Sequence, residues 1–324
     1  MASTRQRCAR VAPAGLATLT HLLASFFVSA APPPAWPAEP RSEGQALFVT
    51  ANLQEAYGDE DMKDLGEMSV FVDRLLAHGP GVPDVLPLQE VRNSSADRVA
   101  ELLQARTGSR FAVVVDPGPR PSIRITDTEF LHTETAILVN TLTMRSMAEG
   151  GYLRTPYARW AGIPDHVVVI RQQAFALLED RSSGTRYAVA NVHYVPRSAF
   201  RSPSASHLYR DKWSRAVADN LRARYGGLTD AYVVGGDFNQ DMCAGEVTYN
   251  CSPLSPYYLT LMQEPYRLTD AVRSIIRGHG VDLVFTDAQV LDAGRDSTYS
   301  WRDVEGDPSR FYADHQFRWS LLKG

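Results

Sequence analysis

Short apolar runs of strand length recur along this 324-residue chain, and several stop on a carboxylate, an amide or an imidazole. They are Leu47–Ala51, Asp84–Leu88, Ala112–Val115, Thr135–Val139, His166–Ile170, Tyr187–Val192, Ala231–Val234, Val281–Phe285 and Phe317–Leu321. Runs this short and this rich in Val, Leu and Ile read as strands buried on both faces. Elsewhere the apolar period is helical. Met68–Ala77 carries Val72, Leu75 and Leu76, Ala96–Arg106 carries Val99, Leu102 and Leu103, and His207–Tyr225 steps through Trp213, Val217, Leu221 and Tyr225. About nine strands with three or four helices, the helices mostly early, describe a mixed α/β sandwich rather than a regular βαβ alternation.

Composition sets the outer limits. With 44% hydrophobic and 22% charged residues the chain is neither disordered nor fibrous. Its 33 Lys+Arg against 37 Asp+Glu exclude a whole-molecule positive field of the kind that grips polyanions nonspecifically. The first thirty residues have the form of a secretory signal: Arg5, Arg7 and Arg10, an uncharged apolar stretch from Val11 to Val28, and the small-residue end Val28-Ser29-Ala30. The competing reading is an uncleaved anchor, which Pro13, Gly15 and His21 weaken. Removal of residues 1–30 takes away three Arg and no acid and leaves a net charge of −7. A secreted protein is therefore expected. Residues 31–44 (APPPAWPAEPRSEG) read as a Pro-rich tether and residues 45–324 as one folded domain. Cys243 and Cys251 could close a small disulfide loop in an exported chain. The alternative, a metal pair, lacks a second Cys/His pair at zinc-ligand spacing.

Five strand ends carry the polar groups. Asn52 follows the first run, Glu90 the second, His193 follows VANV, Asp237 and Asn239 follow VVGG, and Asp314-His315 precedes the last run. Any one of these has an ordinary explanation as a turn residue or cap. Together they suggest one rim, because strand ends of a sheet can converge.

The segments TANLQ, LQEVRNS, ANVHYVP, GGDFNQD and YADH resemble, in order and spacing, the endonuclease/exonuclease/phosphatase superfamily. The resemblance runs from Gln45 to the end of the chain, and LQEVRNS with the Cys after GDFNQD is most similar to the deoxyribonuclease I branch. It implies a four-layer α/β sandwich, two packed mixed sheets flanked by helices. It also implies a metal-dependent phosphodiesterase, most simply an endonuclease of DNA, working as a monomer without an obligate protein partner. A phospholipid head group or a small phosphate ester is the alternative substrate, and a non-catalytic binding or toxin subunit the third reading.

Site residues follow from the matched motifs. Glu90, Asp237, Asn239 and Asp314 would hold the metal; their oxygen donors favour Mg²⁺, Mn²⁺ or Ca²⁺ over zinc. His193 would protonate the leaving oxygen and His315 activate water, or the reverse. Glu134 in HTETAILVN and Asp282 in GVDLVF resemble the carboxylates that orient these two rings. Asn52, Asn239 and Arg171 would hold the scissile phosphate, and Arg92 would reach the DNA minor groove. Two positions depart from the family pattern: Ala51 stands where Trp is usual and Ala313 where Ser is usual. The other histidines, such as His78 and His279, read as structural or surface residues. Between Arg197 and Arg224 seven basic residues face only Asp211 and Asp219, a local excess that offers a phosphate track on an acidic body.

Overall fold

Alternation along the first strand shows how the layers arise. Ala46 and Phe48 point to one side and Leu47, Val49 and Ala51 to the other, and both sides are buried. A strand with two apolar faces needs cover on each, and here a second sheet covers one face and helices the other. The computed structural model describes residues 41–53, 63–91, 93–116, 123–124, 130–131, 134–157, 169–195, 200, 203–239, 260–263, 265–271, 282–300, 310, 312–313 and 315–324. These residues fall within the compact unit Pro34–Gly324.

In chain order the elements are β1 (Gln45–Asn52), α1 (Lys63–His78), β2 (Val85–Val91), α2 (Asn93–Thr107), β3 (Phe111–Val115), β4 (Ile123–Arg124), β5 (Phe130–Leu131), β6 (Glu134–Asn140), β7 (Met144–Ser146), β8 (Gly151–Tyr157), β9 (Val169–Asp180), β10 (Arg186–His193), α3 (Pro203–Tyr225), β11 (Ala231–Asp237), β12 (Thr269–Asp270), β13 (Asp282–Thr286), β14 (Gln289–Arg295) and β15 (Arg318–Lys323). Sheet A runs β14-β15-β1-β2-β6-β3. Sheet B runs β12-β13-β11-β10-β9-β4-β5, with β7 and β8 also paired to β9. Both sheets are mixed: β1 and β2 are parallel, as are β10 and β11, and the other pairs are antiparallel.

Three apolar clusters correspond to three interlayer spaces. Met68, Phe71, Val72, Val99 and Leu103 of α1 and α2 pack on Leu47, Val49, Leu86 and Leu88 of sheet A. Phe48, Val85, Ile137 and Val139 meet Ala174, Ala176, Tyr187, Val189 and Val233 between the sheets, with Phe48 and Tyr187 in edge contact at 5.3 Å. Val217, Leu221 and Tyr225 of α3 cover Ala188, Ala190 and Val234 on the far side of sheet B. The order is helices, sheet, sheet, helix, the four-layer sandwich that the sequence led us to expect. Each fully buried Leu, Val or Phe contributes about 1.5–3 kcal/mol through area removed from water. Among the described residues no helix is long and apolar enough to cross a membrane.

Three differences from the sequence reading stand out. The run at His166–Ile170 leads into a much longer strand, β9, which continues to Asp180. β8 and β14 were not foreseen, because GYLRTPY and QVLDAGR mix polar and apolar residues without a clean period. Arg41, placed in the tether by sequence, pairs with Asp84 and donates to the Val82 carbonyl, so the packed chain begins by Arg41 rather than at Gln45. The signal segment, residues 31–40 of the tether, Arg92, Asp314, Cys243 and Cys251 lie outside the described residues.

Candidate active site

Parallel pairing puts the ends of β10 and β11 side by side, and antiparallel β13 begins there. His193, Asp237 and Asp282 are consequently neighbours in register across three strands of sheet B. Gly236, just before Asp237, has φ +137°, and a Cβ there would lie 2.0 Å from the Val192 carbonyl oxygen. The second glycine of GGD is thus required by the close approach of β10. On sheet A the ends of β1 and β2 bring Asn52 and Glu90 to the same rim, Asn52 opposite Gln89. Glu90 sits in a β-bulge with φ +53°, and Asn239 has φ +51°. Left-handed backbone at two non-glycine site residues costs energy that the surrounding contacts must offset, and bulges of this kind redirect side chains.

The two sheets meet through these groups. Asn52 Nδ2 donates to Asp237 Oδ2 at 3.0 Å and to Glu90 Oε1 at 3.3 Å. His193 Nε2 lies 3.2 Å from Glu90 Oε1 and 3.6 Å from Asp237 Oδ2. Asp237 also accepts from the Asn239 backbone N–H at 2.6 Å and from Asn239 Nδ2 at 2.7 Å. His315 Nδ1 and Asp282 Oδ2 are 2.9 Å apart. Two clusters result, Glu90–His193–Asp237 and Asp237–Asp282–His315, each with its ligand atoms within 4.8 Å of one another and sharing Asp237.

Electrostatics follow from burial and crowding. Burial raises the Asp237 carboxyl well above the usual carboxylate range, and the neighbouring Asp282 and Glu90 charges raise it further, against the His315 imidazole and the Asn239 N–H. Burial would also raise Glu90, but contact with His193 and the charges of Arg171 and His315 outweigh it and hold Glu90 at about 2. His193 is pushed down to about 4, first by burial and next by Arg171, with Glu90 opposing. Three carboxylates gathered in a dry rim leave an excess of negative charge. Buried Glu90 Oε2 and Asp282 Oδ1 have no hydrogen-bond partner among the described residues. A divalent cation would satisfy both deficits, so the donor set fits one.

Several expected residues are assembled here: Asn52, Glu90, Arg171, His193, Asp237, Asn239, Asp282 and His315. Arg171 is buried at the start of β9, within electrostatic reach of Glu90 and His193, and its Nε and Nη1 have no acceptor among the described residues. Glu134 opens β6 opposite Val91, next to Glu90, though its side chain is outside the described set. His193 Nδ1 has no partner among the described residues. Both amide nitrogens of Asn52 and Asn239 are turned onto carboxylates or the Tyr194 carbonyl rather than toward an open phosphate position. Asn239 Oδ1 is left as its donor to a cation.

The basic segment behaves differently from a phosphate track. Arg210 is fully buried and donates to the carbonyls of Phe238, Val195 and Asn239. Arg222 donates to the carbonyls of Pro265 and Tyr266, and Arg215 pairs with Asp211. Of the described basic residues in the segment, Lys212 and Arg224 are exposed and make none of these contacts. Arg197 and Arg201 are outside the described residues.

Sequence reasoning missed Gln173, whose Oε1 accepts from the His193 N–H at 2.6 Å and whose Nε2 donates to the His193 carbonyl at 3.1 Å. Its signal was available: Gln173 is two residues beyond Arg171 on one strand, and so on the same face.

Solved structures with the same architecture are found across most of the chain. One is the endonuclease/exonuclease/phosphatase from Bacteroides vulgatus, at 14% identity, covering 86% of this chain and 98% of that one with a TM-score of 0.55. The human Nocturnin catalytic domain with bound sulfate anion matches at 17% identity, 86% and 93% coverage and a TM-score of 0.58. D. rerio TDP2 complexed with single strand DNA product matches at 11% identity, 87% and 100% coverage and a TM-score of 0.52. No protein-family model and no curated protein sequence matches the chain. The chain has the endonuclease/exonuclease/phosphatase fold.

Proposed function

We propose that this protein is a divalent-cation-dependent phosphodiesterase acting on nucleic acid, and more finely a deoxyribonuclease I-like endonuclease of DNA. The observation that carries the reading is the pair of carboxylate–imidazole clusters sharing Asp237, placed where the two sheets meet and beside the buried Arg171. Proteins of the same fold include one solved with a sulfate and one with a single-stranded DNA product, which supports a phosphate-bearing substrate.

Glu90, Asp237 and Asn239 Oδ1, joined by Asp314, would hold the cation; Mg²⁺ is the ion proposed. When bound it supplies Lewis-acid polarisation of the phosphoryl oxygen and offsets the carboxylate charge. His315, with Asp282 behind Nδ1, takes the proton of the attacking water through its other ring nitrogen. His193 is neutral in the cation-free protein; as the imidazolium formed beside a bound phosphate it would give its Nε2 proton to the leaving oxygen, with Nδ1–H oriented by Glu134. Arg171 supplies guanidinium N–H groups to the phosphate oxygens. Arg92 would contact the flanking groove. Export, with removal of residues 1–30, a tether and a Cys243–Cys251 disulfide, belongs to the same proposal. So does a monomer working without a protein partner.

The test is a screen of the purified protein with Mg²⁺ over plasmid DNA, RNA, sphingomyelin and inositol phosphates, with Asp237→Ala as control. Nicked and linear plasmid is the expected product. An intact plasmid refutes the DNA reading, release of phosphocholine would assign the lipid alternative, and inactivity on all four would remove the phosphodiesterase reading.

A further inference from the structure

Glu90 lies on sheet A and its neighbours His193 and Asp237 lie on sheet B, so the offset between the sheets must be fixed. Apolar packing is non-directional and tolerates sliding. One step below the site the apolar layer between the sheets is interrupted by amides. Gln89 and Asn191 are both fully buried. Gln89 Nε2 donates to Asn191 Oδ1 at 2.6 Å and to Thr50 Oγ1 at 3.0 Å. Asn191 Nδ2 crosses to sheet A and donates to the carbonyls of Leu88 at 2.7 Å and Ala136 at 2.8 Å.

Those two carbonyls have a particular location. Leu88 and Ala136 are the last paired residues of β2 and β6 before the register breaks, and pairing resumes at Val91 and Glu134. The break is the bulge that contains Glu90. A bulge leaves ladder groups without strand partners, and a side chain from the opposite sheet supplies donors here.

We propose that Asn191, held in place by Gln89, is a positioning residue for Glu90. By satisfying the bulge from across the sandwich, it aims the Glu90 carboxylate toward His193 and Asp237. It also ties that carboxylate to an imidazole two residues along Asn191's own strand. The inference rests on the reading of Glu90 as a cation ligand. A merely structural amide would change stability and leave Glu90 where it is.

Two variants separate these roles: Asn191→Leu, similar in size and without donors, and Gln89→Met, which removes the anchor and keeps Asn191. Each is followed by circular dichroism to establish folding, by Mg²⁺ titration calorimetry, and by a crystal structure without cation. Asn191→Leu should release Glu90 from its left-handed backbone and weaken Mg²⁺ binding by about 10–100-fold, the range for losing a group that orients a ligand. Gln89→Met should weaken binding in the same direction by less. Folded Asn191→Leu with wild-type Mg²⁺ affinity or an unmoved Glu90 overturns the proposal. If Asn191→Leu does not fold, wild-type affinity or an unmoved Glu90 in Gln89→Met overturns it instead. Wild-type protein that binds no Mg²⁺ would sink the cation reading, while the crystallographic comparison would still decide the positioning role.

Discussion

Replacing Arg210 with Met should destabilise the protein by about 3 kcal/mol, a large share of an ordinary folding free energy. The side chain is completely buried, stands over the Phe200 ring at 5.6 Å, and spends its donors on oxygens. Nε reaches the Phe238 carbonyl at 3.1 Å, Nη2 the carbonyls of Val195 at 3.0 Å and Asn239 at 2.7 Å, and Nη1 the Ser206 hydroxyl and its carbonyl. The Ser206 carbonyl is also within a helix, so three loop carbonyls lose a donor they do not regain. At about 1 kcal/mol for each buried acceptor left unsatisfied, the loss is about 3 kcal/mol. Met fills most of the vacated volume, which keeps the cavity contribution small. Arg210→Lys should recover little, because one ammonium cannot serve all the carbonyls that the guanidinium fork reaches. Urea unfolding followed by circular dichroism measures the difference directly. A loss below about 1 kcal/mol in Arg210→Met would refute the reasoning, since water would then have replaced the guanidinium at no net cost.

Other outcomes are equally specific. His193 stays neutral down to about pH 4 in the folded chain against 6.5 as a free side chain. Its contribution to stability is therefore complete above pH 6.5 and is lost as pH falls toward 4, by up to about 3 kcal/mol. His193→Gln should flatten that part of the stability profile relative to wild type, and parallel urea-midpoint curves across this window would contradict the assignment. Gly236→Ala should fail to fold or lose several times the ~1 kcal/mol of an ordinary substitution, because its Cβ would meet the Val192 backbone; a soluble variant with an unchanged melting temperature counts against this. Mg²⁺ at about 100 times its dissociation constant should stabilise wild type by about 2.7 kcal/mol and Glu90→Gln by much less, as thermal shifts would reveal. Asp282→Asn should lower kcat by about 10²–10⁴-fold by leaving His315 without its orienting carboxylate, and an unaffected kcat would remove the dyad from the chemistry.

Where the sequence was legible, a residue's neighbours in sequence announced its environment. LFVTA, VVGGD and YAVANVH are apolar until they reach the rim, so both the strands and their functional ends could be read. β9 was harder, because Gln172, Gln173, Glu179 and Asp180 are polar yet buried: Gln173 bonds to β8 and β10, Glu179 to Arg145, and Asp180 to the Ser182-Ser183 turn that follows it. Arg210 was misread for a related reason. Set among exposed cations on a helix, it looks like one more surface charge, and nothing local reveals that its acceptors are the carbonyls of two loops. The bulge at Glu90 was invisible too, since the side chain that donates to the Leu88 carbonyl beside it lies 103 positions away in the chain.

Dividing the site between two sheets has a consequence for how activity is acquired. Sheet A alone carries Asn52 and Glu90, and sheet B alone carries Arg171, His193, Asp237 and Asp282. A chain that has formed both sheets but not yet docked them owns two inert halves. In a refolding experiment, backbone signals should therefore mature first, and competence toward cation and substrate should emerge only with the last event, closure of the sandwich.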